Sequence, residues 1–294
     1  MTKSALNGLH TAIITPFDRH GDLKLECVPE FLEYQRKAGI DGVVVCGTNG
    51  EGTSLSIHER KSLLDMILEH RGSLKVIVGT GAGNLPETLE LTKHAAESGA
   101  DAALVLPPFF LKKITEEGLA NWFRSVLDSA DLPILLYNIP QMTSIPITDG
   151  VLERLEGHPN LAGLKDSTGD WNSFSHYLET YPQLQIFCGS DLIAGKAWTS
   201  GAAGSISGTA NSFPELCGAV RNASRTGNNV QEAQDRLTSV CQVLLKYPFI
   251  SNNKTVIASR NLPETFVRAP LADMTQEQTF KMLQELRDLG LFAP

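Results

Sequence analysis

The strongest constraint on the fold is a rhythm in the chain. Eight short apolar, β-rich runs recur through the first 210 or so residues: LHTAIITPF (9–17), GVVVCG (42–47), KVIVGTG (75–81), AALVLPP (102–108), PILLYNIP (133–140), LAGLKDS (161–167), QIFCGSD (185–191) and GSISGTA (204–210). Most are apolar throughout rather than alternating, which fits parallel strands covered on both faces. Helical patterns lie between them. Residues 57–71 (IHERKSLLDMILEHR) put Ile57, Leu64, Ile67 and Leu68 on one face and stop at Gly72. Residues 85–98 carry Leu85, Leu89 and Ala96 along one side and end at Gly99; residues 114–129 carry Leu119, Trp122, Phe123 and Val126. Residues 170–181 open on Asp170, a suitable N-cap. Eight β/α alternations predict an α/β fold, a (β/α)8 TIM barrel.

The remainder reads as helices: FPELCGAVRNASRTG, VQEAQDRLTSVCQVLLKY and TQEQTFKMLQELRDLG. No Pro/Gly/Ser linker precedes it. The expected division is a barrel over 1–212 and a C-terminal helical extension over 213–294, packed on the barrel. Length alone suggests about two domains, but α/β barrels of this size are often one.

A net charge of −8, without any basic tract, argues against a general nucleic-acid surface. The opening MTKSALNGLH lacks the apolar run of a signal peptide. No segment has the roughly 18 uninterrupted apolar residues of a membrane span. The five cysteines (Cys27, Cys46, Cys188, Cys217, Cys241) are odd in number and form no Cys-x-x-Cys pair. Reduced thiols in a cytoplasmic protein follow, and small buried hydrophobes are the plainer reading than reactive thiols.

In such a barrel the chemistry sits at the C-terminal ends of the strands. The unusual polar residues collect there: Thr48, Asn49 and Glu51 after the second run, Tyr137 and Asn138 on the fifth, Lys165, Asp166 and Ser167 on the sixth, Gly189 and Asp191 on the seventh. Lys165 is the sharpest of these. A lysine facing into a sheet loses hydration, which is costly unless it pairs or gives up its proton. A desolvated amine can attack a ketone to form a Schiff base, whose protonated form is an electron sink. The competing reading is a lysine paired with Asp or Glu at the rim. Tyr137, one strand earlier, is placed either to shuttle protons near an imine or to serve as an ordinary core tyrosine.

GTNGEGTS (47–54) is a glycine-rich turn suited to cradle a carboxylate. It has the Gly-x4-Gly spacing of a Walker loop, but Thr53 stands where lysine is required. GTGAGN (79–84) is an incomplete dinucleotide pattern on the third run, not the first. Tight turns explain both. The seven histidines form no His-x-x-x-His or Glu-x-x-His pattern, so neither a metal nor a cofactor is expected.

Together, TPF (15–17), GTNGE (47–51), YNIP (137–140), GLKDS (163–167) and GSISGTAN (204–211) resemble the dihydrodipicolinate synthase / N-acetylneuraminate lyase family of class I pyruvate aldolases, over almost the whole chain. The resemblance implies that Lys165 forms the Schiff base with pyruvate or a 2-oxo acid and that Tyr137 relays protons. It also implies that Thr48 and Asn49 bind the pyruvate carboxylate, where the family usually has a Ser/Thr-Thr pair, and that the Ile206 carbonyl faces the keto acid. Ser167, Gly189, Asp191, Met142 and Phe110 are expected around the substrate, and the implied assembly is a homotetramer, a dimer of dimers.

Departures from the family pattern bear on substrate. Dihydrodipicolinate synthases typically place an arginine two residues after YN-x-P; here Met142 stands there, and a thioether cannot make the charge-assisted bidentate contact of a guanidinium. Where those synthases carry tyrosines after the fourth strand, this chain has Phe109 and Phe110. An apolar residue at 142 and the PFFLK segment look more like the sugar-acid lyase branch, and HPNLAGLKDSTGD resembles 4-hydroxy-2-oxoglutarate aldolases. Asp191 matches a polyol-binding aspartate of neuraminate lyases, but Leu192 replaces their neighbouring glutamate. The expected activity is a lyase that cleaves a 2-oxo-3-deoxy sugar acid or related 4-hydroxy-2-oxo acid to pyruvate and an aldehyde. The alternatives are a dihydrodipicolinate synthase, a Schiff-base dehydratase and, less readily, a binding module without turnover.

Overall fold

Each of the eight apolar runs becomes a parallel strand in the computed structural model, which describes residues 6–291. Residues 1–5 and 292–294 lie outside the described residues, so the expectation for MTKSALNGLH is only partly within them. The strands are β1 (Gly8–Ala12), β2 (Gly42–Val45), β3 (Lys75–Gly79), β4 (Ala102–Val105), β5 (Ile134–Asn138), β6 (Leu161–Asp166), β7 (Gln185–Cys188) and β8 (Gly204–Ser207). They close in sequence order, β8 pairing with β1. The observed (β/α)8 barrel is the fold the rhythm predicts.

Strand period 2 divides the apolar residues between two cores. Val44, Ile77, Leu104, Leu135, Phe187 and Ile206 fill the barrel lumen. Their neighbours Val43, Val45, Val76, Val78, Leu136 and Ile186 face the surrounding helices. That double burial is why the runs are apolar throughout. The expected strands overran their C-terminal ends, for example 9–17 against Gly8–Ala12. There the chain leaves the ladder to build rim loops, and apolar composition alone does not mark that exit.

The helices of the outer layer are α1 (Val28–Lys37), α2 (Ile57–His70), α3 (Leu85–Glu97), α4 (Glu116–Leu127), the short α5 (Pro140–Thr143) and α6 (Asp149–Glu153), α7 (Trp171–Thr180), α8 (Ala194–Thr199) and α9 (Pro214–Thr226). Three more follow: α10 (Val230–Leu244), α11 (Ser251–Ser259) and α12 (Gln276–Asp288). Asp170 caps α7 as expected, its carboxylate accepting from the Asn172 amide at 3.0 Å. The buried face of α2 is Arg60, Leu63, Leu64 and Ile67, so Ile57 and Leu68 are only half-buried flanks. On α3 the expected face is displaced: Thr88, Leu91, Thr92 and Ala95 go inside. The threonines can be buried because their hydroxyls are satisfied. Thr92 Oγ1 donates to Thr80 Oγ1 at 2.9 Å and Thr88 Oγ1 to the Asn84 carbonyl at 2.9 Å.

Candidate active site

Period 2 along β6 sends Leu164 to the outer core and Lys165 into the lumen. Register then sets its neighbours: Tyr137 of β5 pairs with Lys165, and Lys165 with Phe187 of β7. Lys165 is buried, and its Nζ lies 4.2 Å from the centroid of the Tyr137 ring. The next residue, Asp166, turns the other way. Its carboxylate accepts from Asn138 Nδ2 at 2.7 Å and Thr168 Oγ1 at 2.6 Å. Among the described residues no carboxylate forms an ion pair with Lys165, so the rim-pair reading of this lysine is not what the structure holds.

The Tyr137 hydroxyl sits between Thr48 Oγ1 at 3.4 Å and Ser167 Oγ at 3.5 Å, tying the ends of β2, β5 and β6 together. Burial by itself pushes the phenol up. The adjacent Lys165 and the hydrogen bonds from Ser167 and Thr48 override it, and the net direction is down. Two glycines keep the mouth open above this pair. A Cβ at Gly189 would lie 2.0 Å from Ser167 Oγ and 2.9 Å from Lys165 Cε, and one at Gly208 would lie 2.8 Å from Asn49 Nδ2. The Asn49 side chain therefore packs against Gly208 after β8, with its Oδ1 buried and without a protein hydrogen-bond partner among the described residues.

These groups surround a cavity of about 290 Å³ at the C-terminal end of the barrel. Thr48, Asn49, Tyr137, Lys165, Ser167 and Gly189 line it, as do Ile206, Asp191 and Met142. The Asp191 carboxylate accepts from Ser207 Oγ at 2.9 Å and the Thr209 amide at 3.2 Å. Phe110 is not brought to the cavity: it is 81% exposed, on the loop between β4 and α4.

Sequence reasoning missed the wall opposite. Cys241 and Leu244 of α10, the following Leu245 and Phe249, and Asn252 and Asn253 of α11 all line the cavity. The signal was the polar triplet Asn252-Asn253-Lys254 in the tail, which belongs to no apolar helix pattern. Lys254 explains itself in three dimensions. Its Nζ donates to Glu51 Oε1 at 2.6 Å, with both side chains fully buried. Glu51 Oε2 in turn accepts from the Arg268 amide at 2.9 Å. The Thr48–Asn49 loop is thus backed by α11.

All five cysteines are buried, and burial pushes the Cys188 and Cys241 thiols up to about 12, against thiolate chemistry. Among the described residues no group of three or more His, Cys, Asp or Glu side chains is placed to hold a metal ion. None of the described helices is long and apolar enough to cross a membrane.

The model of the dihydrodipicolinate synthetase family matches residues 5–289. The chain belongs to that family. Membership carries the coarse activity, a pyruvate-dependent, Schiff-base-forming aldolase or lyase. A DapA-like lyase of Chloroflexus aurantiacus, itself uncharacterized, is 39% identical over 277 residues, 92% of this chain and 93% of that one. A 4-hydroxy-tetrahydrodipicolinate synthase of Methanothrix thermoacetophila is 33% identical, covering 96% and 97%. Among solved structures, YagE, a prophage protein of the dihydrodipicolinic acid synthase family from E. coli K12 in complex with pyruvate, superposes with a TM-score of 0.92 at 27% identity, covering 98% of this chain and 100% of that one. Met142 lies on the cavity wall and is 54% exposed.

Proposed function

We propose that the protein cleaves a 2-oxo-3-deoxy sugar acid or a related 4-hydroxy-2-oxo acid to pyruvate and an aldehyde, with Lys165 as nucleophile and Tyr137 as proton relay. One observation carries this reading. A buried lysine without a carboxylate partner stands over a tyrosine ring at the floor of an open cavity. The Lys165 amine adds to the C2 ketone, and the C2 hydroxyl leaves as water with a proton from Tyr137, giving a protonated imine. The Tyr137 phenolate takes the proton of the C4 hydroxyl, the C3–C4 bond breaks, and its electron pair moves into the imine to form an enamine as the aldehyde departs. C3 then takes a proton, and water hydrolyses the imine to pyruvate and the free amine. The Thr48 hydroxyl and the Asn49 amide hold the substrate carboxylate. Ser167 orients the phenol through its 3.5 Å contact.

A second reading, condensation of pyruvate with aspartate semialdehyde, is favoured by relatives named 4-hydroxy-tetrahydrodipicolinate synthase that match nearly the whole chain. Met142 speaks against it, since it offers no charge to the carboxylate of that aldehyde. A dehydratase that keeps Lys165 but eliminates water shares the same first steps. Assembly as a homotetramer and a cytoplasmic location belong to this proposal by family resemblance; the exposed Phe110 and Leu111 give such an assembly an apolar surface to cover.

The test is borohydride trapping with pyruvate, read by intact mass and peptide mapping. A single adduct on Lys165, absent in Lys165→Ala, is expected. An adduct elsewhere, or none, removes the mechanism.

A further inference from the structure

The cavity above Lys165 has a polar floor and an apolar collar. Among the described residues, four exposed large hydrophobics stand around this one mouth: Met142, Leu192, Leu245 and Phe249, between 44% and 71% exposed. They come from four separate segments: α5, the turn after β7, the C-terminal cap of α10 and the turn before α11. Single exposed apolar residues need no explanation, but convergence on one concave site marks a binding surface.

Several polar groups of the wall are already engaged within the protein. Asn252 Nδ2 donates to the Leu244 carbonyl at 2.9 Å, and its Oδ1 accepts from the Asn253 amide at 2.6 Å. Asn253 Oδ1 accepts from Ser212 Oγ at 2.6 Å, and Gln141 Nε2 donates to the Ser167 carbonyl at 2.6 Å. Of the described residues lining the cavity, Lys165 is the sole cation, and in the protonated imine its charge stays at C2, beside the substrate's own carboxylate. Nothing else in the wall neutralises a second carboxylate, and Asp191 repels one. A charged aldehyde would lose hydration without a partner.

We propose that the departing aldehyde is uncharged and carries an apolar group, aliphatic or aromatic. The substrate is then a 4-hydroxy-2-oxo acid with an apolar substituent on C4, and the Met142–Leu192–Leu245–Phe249 collar sets that specificity. This inference rests on the Schiff-base reading above.

The test runs in the synthetic direction, with pyruvate and a panel of isobutyraldehyde, benzaldehyde, glyceraldehyde, glyoxylate and aspartate semialdehyde, products quantified by mass. Pyruvate trapping with borohydride is run on the same preparation. The Lys165 adduct is expected, together with a kcat/KM for isobutyraldehyde or benzaldehyde about tenfold or more above the other three. Leu245→Ser and Phe249→Ser are each expected to lower the apolar-to-polyol ratio by about tenfold. A damaged fold would lose both products together and leave that ratio unchanged. An adduct accompanied by preference for glyceraldehyde or a carboxylate-bearing aldehyde overturns the inference alone. An unchanged ratio in both variants, when each still gives the Lys165 adduct and keeps the parent's thermal midpoint, overturns the role of the collar. Absence of an adduct overturns the Schiff-base reading, and the inference with it.

Discussion

Lys165 and Tyr137 face each other because β5 and β6 are in register and both residues fall on the inward phase of their strands. Neither needs a loop to position it, so the pair is as rigid as the barrel. Tyr137→Phe keeps the ring beneath Lys165 Nζ and removes only the hydroxyl. It is expected to lower kcat by about 10²–10⁴-fold while borohydride still traps pyruvate on Lys165. The pH profile separates a relay from a packing role. Although burial raises the phenol, Lys165 and its hydroxyl partners bring it below the ordinary tyrosine value. A relay that must hold its proton therefore loses activity as pH rises, beginning below the usual tyrosine range, and Tyr137→Phe lacks that limb. An alkaline limb that persists in the variant belongs to another group. Both residues were visible in the sequence as polar breaks in apolar runs. Their mutual distance was not, since register is a property of paired strands.

At the scale of elements, α11 decides the shape of the site. It supplies Asn252 and Asn253 to the cavity and drives Lys254 behind the Thr48–Asn49 loop. Burial pulls the lysine's pKa down, and Glu51 opposes that. Lys254→Met strands the Glu51 charge in the interior. The expected loss is roughly 3–5 kcal/mol, read as a lower thermal midpoint, with a raised KM for pyruvate as the loop loses its backing. The double variant Lys254→Met/Glu51→Gln recovers most of the stability; a single variant as stable as the parent would contradict the account. This helix escaped sequence reasoning because SNNKTVIAS has no apolar stripe: its buried polar side chains are satisfied by partners elsewhere in the chain. The displaced face of α3 has the same origin in Thr88 and Thr92. Periodicity finds elements buried by apolar contact, and both exceptions are buried by hydrogen bonds.

For the molecule as a whole, the barrel lumen is a single low-polarity interior with a histidine inside it. His10 is fully buried, edge-on to Phe187 at 5.8 Å, and its Nε2 lies 2.7 Å from the Leu6 carbonyl, the contact of a donating neutral tautomer. Burial pushes it down from 6.5 to about 4, outweighing the Leu6 hydrogen bond that favours charge. The unfolded chain therefore takes up a proton that the fold refuses. This contribution to stability is complete above pH 6.5 and is lost as pH falls towards 4, in total about 3 kcal/mol. Urea midpoints at pH 6.5 and 4.5 check it: His10→Asn is expected to show a smaller acid loss than the parent, and an equal loss would assign the acid sensitivity to carboxylates alone.

The eight strands, their order and the two central residues follow from local pattern, because strand burial on both faces demands apolar runs and a lysine or tyrosine interrupts them visibly. The cavity wall, the collar and the backing of the Thr48–Asn49 loop do not. They join residues as distant as Glu51 and Lys254, 203 positions apart. The sequence by itself therefore determined the barrel and where its chemistry starts. Only the closed tertiary structure decided what surrounds Lys165, because contacts between distant segments carry no periodic signature in either one.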